Sequence, residues 1–226
     1  MIRSFTRNDR VIPNSKRRRC MEQTRVGGIM DVGGHRWRIL DIRDNAALLI
    51  TENIIEQRAY HDAYVGTTWA DCALRKYLNG AFLDRFSDAE KSGILQVLNH
   101  NPDNHWYGTE GGADTMDHVF LLGIEDVVCH YFGDSSTKLY NKGKNQRYWF
   151  ERKDGNNDRR IAKLDEKPEW SWWWWLRSPG RVGVKAVYVH GDGNIGIQGN
   201  NILIGNLSDG KCTGGVRPAM WVRMAP

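Results

Sequence analysis

The pattern of hydrophobic and polar positions predicts two neighbouring strands near residue 40. Apolar and polar residues alternate over 35–42, with Trp37 and Ile39 on one face, and a largely apolar run covers 46–55. Alternation with a period of two is typical of a strand that is buried on one side. We therefore expect two strands that are joined by a turn at 43–45.

Helical spacing follows over residues 68–98. Thr68 or its neighbour is expected to cap a first helix, whose apolar residues recur every three or four positions. Ser87 and Glu90 have the spacing of a capping box for a second helix. The apolar positions of these helices would be Trp69, Cys72, Ala73, Tyr77 and Leu78 in the first, and Ile94, Leu95 and Leu98 in the second.

The second half of the chain predicts a strand, a polar insertion and a small sheet. Residues 119–122 are expected to form a short buried strand, and 124–132 one or two helical turns. No periodicity is visible over 133–168, which we interpret as a polar insertion on the domain. Alternation returns after residue 186, with turn signals at 192–193 and 199–200. These signals predict a meander of three short strands.

Four consecutive tryptophans occupy 172–175. Alternate side chains of a strand face opposite sides, so we expect Trp173 and Trp175 in the core. Trp172 and Trp174 would then be exposed, where a ring can stack on a sugar or on a partner side chain. Two further motif residues, Arg177 and Arg217, are interpreted as buried arginines that bind backbone carbonyls, because a charge in an apolar setting needs partners.

The positive charge is concentrated at the N-terminus. Residues 1–19 hold seven Lys/Arg and one acid, a charge of +6, whereas the whole chain carries +5, so the remaining 207 residues carry −1. Residues 1–25 are therefore interpreted as a basic arm and 26–226 as one domain. A solvated leader is the favoured interpretation of the arm, and nucleic-acid binding through 1–19 is the alternative. No apolar run reaches the ~18 residues that span a membrane, so no membrane contact is expected.

The cysteines and histidines predict no metal site and no cofactor. The four cysteines are far apart and form no C-x-x-C pair, which favours a reducing compartment. No two histidines have the spacing of a zinc helix. Oxygen ligands for calcium at Glu110, Asp114 and Asp117 stay an open alternative. We expect the protein in the cytoplasm as synthesised, or in a phage particle.

Three motifs carry a resemblance to a known family. Residues 68–91 contain Thr68-Trp69 and Leu74-Arg-Lys-Tyr-Leu-Asn79, while Trp-Trp-Leu-Arg-Ser-Pro-Gly occupies 174–180 and Gly-Val-Arg-Pro-Ala-Met-Trp occupies 215–221. In this order they resemble a bacterial and phage domain family that looks like a branch of the C-type lectin and formylglycine-generating-enzyme-like fold. The resemblance implies an α+β domain, in which two helices pack on small twisted antiparallel sheets with long loops.

Some proteins of that fold are variable proteins of diversity-generating retroelements, and the segment 181–214 is similar to their variable region. Lys185 and Gln198 do not fit adenine-directed mutagenesis of Asn-type codons, and ordinary Gly/Asn-rich hairpins remain the alternative. The resemblance predicts a non-enzymatic recognition protein for a protein or carbohydrate ligand. Its expected contact residues are Trp172, Trp174, Arg181, Val182, Val184, Tyr188, His190, Asp192, Asn194, Ile197, Asn200, Asn201, Leu203 and Asn206.

Two other functions stay open. The resemblance also allows an enzyme of the formylglycine-generating superfamily with altered chemistry. That family's activity needs a pair of cysteines in the C-terminal region, where this chain has only Cys212. The second alternative is a nucleic-acid-associated protein that acts through the basic arm, whose binding would weaken steeply with salt.

Overall fold

The structure is a computed structural model that describes residues 25–140, 155–203 and 213–224. The basic arm at 1–19, Asn206 and Cys212 therefore lie outside the described residues. One five-stranded sheet has the order β1-β2-β3-β14-β5. All its pairs are antiparallel. Its strands are β1 (Ile29–Val32), β2 (His35–Arg43), β3 (Ala46–Thr51), β5 (Ile94–Leu95) and β14 (Ala219–Arg223).

A second five-stranded sheet has the order β12-β11-β10-β13-β4, in which β10 and β13 are parallel and the other pairs antiparallel. Its strands are β4 (Glu56–Gln57), β10 (Trp174–Pro179), β11 (Lys185–Val189), β12 (Ile195–Asn201) and β13 (Gly215–Val216). Two antiparallel pairs complete the described strands, namely β6 (Val97–Asn99) with β7 (Thr115–Asp117), and β8 (Ala162–Leu164) with β9 (Lys167–Trp172). One hydrophobic core takes buried residues from both large sheets.

The helices of the described residues are short. The α-helices are α1 (Ala73–Tyr77), α2 (Asp88–Gly93), α3 (Ser136–Tyr140) and α4 (Asn157–Arg160). Wider π turns cover Leu78–Phe82 and Asp126–His130, and a 3₁₀ turn covers Leu83–Arg85. The expected α+β class is therefore wrong, because strands dominate the regular structure and the helices within 25–140, 155–203 and 213–224 are too short to form the expected pair packed on a sheet. The molecule is a mostly β protein.

The first two predicted strands and the capping box are confirmed. β2 and β3 pair through a turn at Asp44 and Asn45, both of which adopt the positive φ that a tight hairpin turn requires. Ser87 accepts a hydrogen bond from the backbone of Glu90, and the Glu90 carboxylate accepts one from the backbone of Ser87. The first helix begins later than expected, since Cys72 rather than Thr68 is its N-cap.

The expected apolar stripe of the second helix is strand instead. The helix ends at Gly93, and Ile94 and Leu95 then pair with β14, while Leu98 belongs to β6. A short apolar run has the same spacing in a helix and in a buried strand, so periodicity alone does not separate them. Residues 119–122 are buried as expected, but Phe120 forms only an isolated bridge to Ala219.

The C-terminal meander is confirmed at its first turn and wrong at its second. The turn at 192–193 is closed by the amide of His190, which donates to the carbonyl of Asn194 at 2.7 Å. At 199–200, by contrast, β12 continues without a turn. Gly199 allows the backbone of β12 to lie close to two neighbouring segments. A Cβ at this position would lie 2.8 Å from the Ala186 carbonyl oxygen and 2.8 Å from the Gly180 Cα. No third strand follows β12 as far as Leu203, where the described segment ends.

The described residues near the C-terminal end of the expected polar insertion pack against the rest of the domain. Arg160 is fully buried, and its side chain donates hydrogen bonds to the Val127 carbonyl and to the Ser135 hydroxyl. The carbonyl of Arg160 accepts a hydrogen bond from the Trp174 indole at 3.1 Å. Residues 155–164 therefore anchor the motif strand β10 rather than extend from the surface.

Candidate functional site

Burial divides the expected contact residues into two sets. Trp174, Tyr188, Ile197 and Asn201 are at most 8 % exposed, so the prediction that they are exposed is wrong. Among the others that the structure describes, the exposed side chains are Arg181, Val182 and His190, and the half-buried ones are Trp172, Val184, Asp192, Asn194, Asn200 and Leu203.

The four errors have one physical cause. The four residues lie on β10, β11 and the edge strand β12 of the second sheet, and residues are buried on both faces of all three strands. Tyr188 shows the result, because its ring lies 5.3 Å from the Trp173 ring, and a Cβ at Gly196 would meet the Tyr188 ring. Alternation along a sequence separates the two faces of a strand, but it does not show whether the second face is covered.

Apart from Trp172, which lies on β9, the remaining contact residues lie at opposite ends of the β11–β12 hairpin. His190, Asp192 and Asn194 surround the turn. The open end of the hairpin has Arg181, Val182, Val184, Asn200 and Leu203. Six residues of strand separate 184 from 190, which corresponds to roughly 20 Å at about 3.3 Å per residue. The structure therefore does not form one binding face from the predicted set.

The polar side chains at the turn form hydrogen bonds that stabilise the turn itself. The Asp192 carboxylate lies 2.9 Å from the His190 ring and accepts a hydrogen bond from the Asn194 amide at 3.0 Å. The Asn157 side chain donates to the backbone carbonyl of Asp192 at 3.4 Å. This network explains the residue types at 190–194 without a ligand.

The open end of the hairpin joins a loop that the sequence did not identify. Gly66 and Gly183 are in backbone contact, since a Cβ at Gly183 would lie 3.2 Å from the Gly66 Cα. The amide of Thr67 also donates to the Gly183 carbonyl at 3.0 Å. The residues just before the two glycines, Val65 and Val182, are therefore brought close together from positions 117 residues apart in the chain.

A third loop supports the same region. The Thr109 hydroxyl donates to the Arg181 carbonyl at 2.7 Å, and the Arg181 guanidinium lies 5.7 Å from the centre of the Tyr107 ring. We call Tyr64, Val65, Arg181 and Val182 the three-loop surface, because the loops at 61–68, 103–112 and 181–184 build it. Tyr64, Val65 and Val182 are 58 %, 55 % and 46 % exposed.

The tryptophan run is mainly structural. Trp173 and Trp175 are buried as predicted, and their rings are 4.7 Å apart in an edge-to-face arrangement. Trp172 is half-buried, and its indole donates to the Thr213 carbonyl at 3.1 Å. The exposed tryptophan of this region is Trp170, which lies on β9 and is covered in part by Lys167.

Both motif arginines bind backbone carbonyls, as predicted. Arg217 donates to the carbonyls of Thr51 and Glu52 at 2.9 and 3.2 Å, and burial lowers its pKa to about 10. Arg177 donates to the Leu121 carbonyl at 2.9 Å and forms an ion pair of 2.8 Å with Asp126. Gly123 lets the guanidinium pack closely, since a Cβ there would lie 3.1 Å from the guanidinium carbon.

Two of the three acids that were possible calcium ligands, Asp114 and Asp117, have other roles. Asp117 is fully buried, and its carboxylate accepts hydrogen bonds from surrounding side chains. Asp114 accepts a hydrogen bond from the Asn101 amide and lies 2.7 Å from the His100 ring, and these contacts hold its pKa below the usual value. Within 25–140, 155–203 and 213–224, no three His, Cys, Asp or Glu residues are arranged to hold a metal ion.

The thiols of the described residues are poorly suited to nucleophilic chemistry. Burial raises the pKa of Cys72 to about 12. Burial and the neighbouring Glu125 also raise the pKa of Cys129. A thiolate is the reactive form of cysteine, so neither side chain has the electropositive setting of a catalytic thiol.

Comparison with known proteins gives a family and no function. The model of a family described as "Domain of unknown function (DUF6273)" matches residues 44–224. The chain belongs to this family. No curated protein and no solved structure matches it. In the part of the chain that the structure describes, no helix is long and apolar enough to cross a membrane.

Proposed function

We propose that the protein is a non-enzymatic recognition module that binds a protein ligand through the three-loop surface. The observation that supports it is the clustering of exposed hydrophobic side chains on adjoining loops. Val65 and Val182 flank the Gly66–Gly183 contact, and Tyr64 is the next residue along the first loop. Exposed apolar side chains that are scattered singly are normal on a protein surface, whereas a contiguous patch is typical of an interaction site.

The composition of the patch favours a protein over a carbohydrate. Sugars are bound by several convergent polar groups beside an aromatic ring, whereas two of the four side chains here are valines. Tyrosine and arginine are the residue types that often contribute most to protein interfaces. Tyr64 and Arg181 provide one of each, and both are exposed.

The loops are held in place before any ligand binds. Backbone hydrogen bonds fix the Thr67–Gly183 junction, and the Thr109 hydroxyl fixes the carbonyl of Arg181. A surface that is already ordered loses little conformational entropy on binding, which favours affinity. Diversification of the whole segment 181–214 is not proposed, because Tyr188, Ile197 and Asn201 are in the core.

A peptide library displayed on phage tests this function directly. Peptides are selected on the wild-type protein and then measured against the double variant Tyr64→Ser/Val182→Ser. The control is Met116→Ser, which changes a side chain of similar exposure, 48 %, at another site. Loss of two interface anchors should weaken binding at least ~10-fold, since such residues often cost more than ~1.4 kcal/mol each.

The outcome separates this surface from the rest of the molecule. Binding that the double variant loses and Met116→Ser retains would support the proposal. Peptides that bind both variants as well as the wild type, or no enrichment at all, would reject it. The melting temperature should stay nearly constant, because exposed substitutions usually change stability by less than ~0.5 kcal/mol.

A further inference from the structure

A large cleft in the described part of the chain shares none of the four residues of the three-loop surface. It has a volume of about 1040 Å³ and lies between the first sheet and the segments 97–102 and 120–131. Ligand pockets commonly have volumes of ~300–1,000 Å³, so its size suits a small organic molecule. The end of β10, which carries Arg177, closes one side.

One face of the first sheet provides an apolar floor. Asp41, Leu48 and Trp221 are register neighbours on β2, β3 and β14, and all three line the cleft. Trp221 is half-buried, so part of its indole is accessible. Leu98, which lines the cleft from β6, is 53 % exposed. An indole and a leucine at one opening favour a flat apolar ligand, because both offer surface that binding would remove from water.

Both arginines of the cleft are paired with aspartates that also line it. Arg43 lies 2.6 Å from Asp41 on the sheet side, and Arg177 lies 2.8 Å from Asp126 on the opposite side. These four groups sum to zero charge, and Glu125, which also lines the cleft and accepts a hydrogen bond from the Tyr140 hydroxyl, adds one negative charge. A ligand carboxylate would meet both Asp41 and Asp126 in the cleft, and a ligand cation would meet both arginines. The pairing therefore favours an uncharged ligand.

Two hydrogen-bond donors of the cleft have no partner within the described residues. Arg177 uses Nη1 for both its contacts, and Nη2 makes none. The hydroxyl of Tyr131 also makes none, and neither atom is among the fully enclosed polar atoms. Burial and the neighbouring Asp126 raise the pKa of Tyr131, so its phenol keeps its proton at neutral pH and can donate. Both donors suit an acceptor oxygen on a ligand.

We propose that this cleft binds a small, uncharged aromatic molecule that carries a carbonyl oxygen, such as an aromatic amide. The ring packs against Trp221 and Leu98. The oxygen accepts hydrogen bonds from the Tyr131 hydroxyl and from Nη2 of Arg177. The amide form is favoured over the corresponding carboxylate because both arginines are already neutralised by aspartates.

Three related indoles test the ligand chemistry on the full chain. Indole-3-acetamide has the ring and the carbonyl, 3-methylindole lacks the oxygen, and indole-3-acetate replaces the amide with a charge. Titration calorimetry should show saturable binding of the amide. Indole-3-acetate should bind about tenfold more weakly. 3-Methylindole lacks the acceptor of both hydrogen bonds and should bind up to about 100-fold more weakly, at ~1.4 kcal/mol for each net hydrogen bond.

Two variants and a control test the residues. Tyr131→Phe removes only the donor hydroxyl and should weaken amide binding by about tenfold while leaving the affinity for 3-methylindole unchanged. Leu98→Ser should weaken binding of both probes, because it removes apolar contact. The control is Met116→Ser, since Met116 is the register partner of Leu98 but does not line the cleft. It should bind as the wild type does.

The binding measurements can either support or overturn the proposal. A difference between the amide and 3-methylindole that is about tenfold smaller in Tyr131→Phe than in the wild type would support it. Absence of saturable amide binding, or unchanged binding in Tyr131→Phe and Leu98→Ser, would overturn it. Equal or tighter binding of indole-3-acetate would also overturn it, in favour of an anion site. None of these results affects the three-loop surface, whose test uses other residues and peptides.

Discussion

The buried carboxylate of Asp117 is predicted to be a main source of stability, and Asp117→Asn tests this. The side chain has no exposed surface and links α1, β6 and β7 to the core. Its Oδ1 accepts hydrogen bonds at 2.6 and 3.4 Å from the side chains of Arg75 and Asn79. Its Oδ2 accepts hydrogen bonds at 3.0, 3.0 and 2.7 Å from the side chains of Trp69, Asn99 and Thr115.

The size of the effect follows from these contacts. Asparagine has nearly the same shape, but its NH₂ group must face either the two donors at Oδ1 or the three at Oδ2. More hydrogen bonds are retained when the NH₂ group faces the two donors at Oδ1. The ion pair with Arg75 is then lost, but Arg75 keeps its hydrogen bonds to the carbonyls of Ala70 and Met116. Leaving a buried donor unsatisfied costs about 1–3 kcal/mol, so the expected total is about 3 kcal/mol.

Urea unfolding followed by tryptophan fluorescence measures this loss, since the chain contains ten tryptophans. For a chain of this size, about 3 kcal/mol corresponds to a fall in melting temperature of roughly 6–12 °C. The matched control is Asp84→Asn, because that side chain is 77 % exposed and its free energy of unfolding should change by less than ~1 kcal/mol. A loss below ~1 kcal/mol for Asp117→Asn would refute the reasoning.

Two further predictions concern titratable groups. Iodoacetamide at pH 8 should modify Cys72 only after unfolding, because burial raises its pKa to about 12. Peptide mapping by mass spectrometry checks this, and rapid native labelling would contradict it. Hydrogen bonds from Ser87, and then from the Gly33 amide, hold the pKa of Glu90 below its usual 4.5. Glu90 therefore stabilises the fold above about pH 4.5 and loses this effect as pH falls through the lower folded pKa. Glu90→Gln should flatten this acid dependence of the unfolding midpoint, and an unchanged profile would count against the role.

Features that depend on neighbouring residues could be predicted from the sequence. The Ser87–Glu90 capping box and the hairpin turn at Asp44–Asn45 each involve a few consecutive positions, and both are present. The interpretation of Arg217 also held, because a charge within an apolar motif has few alternatives to backbone carbonyls.

Features that depend on distant partners could not be predicted in this way. Ile94 and Leu95 have the spacing of a helix, but they become strand because β14, more than 120 residues later, offers them backbone partners. The second turn signal fails for a related reason. Gly199 is required by close packing against Gly180 and Ala186 rather than by a change of chain direction.

The same distinction explains why only part of the candidate site was predicted. Arg181 and Val182 were identified because they begin the segment 181–214, which resembles a variable region. Tyr64 and Val65 lie in a loop without periodicity, and only the contact between Gly66 and Gly183 brings them to the same surface. Strands β10, β11 and β12 have buried residues on both faces, so the exposed residues of 181–203 lie outside these strands. A binding surface is therefore more readily built from adjoining loops than from one strand face. For this chain, that places the strongest candidate at the junction of three loops and not on the meander itself.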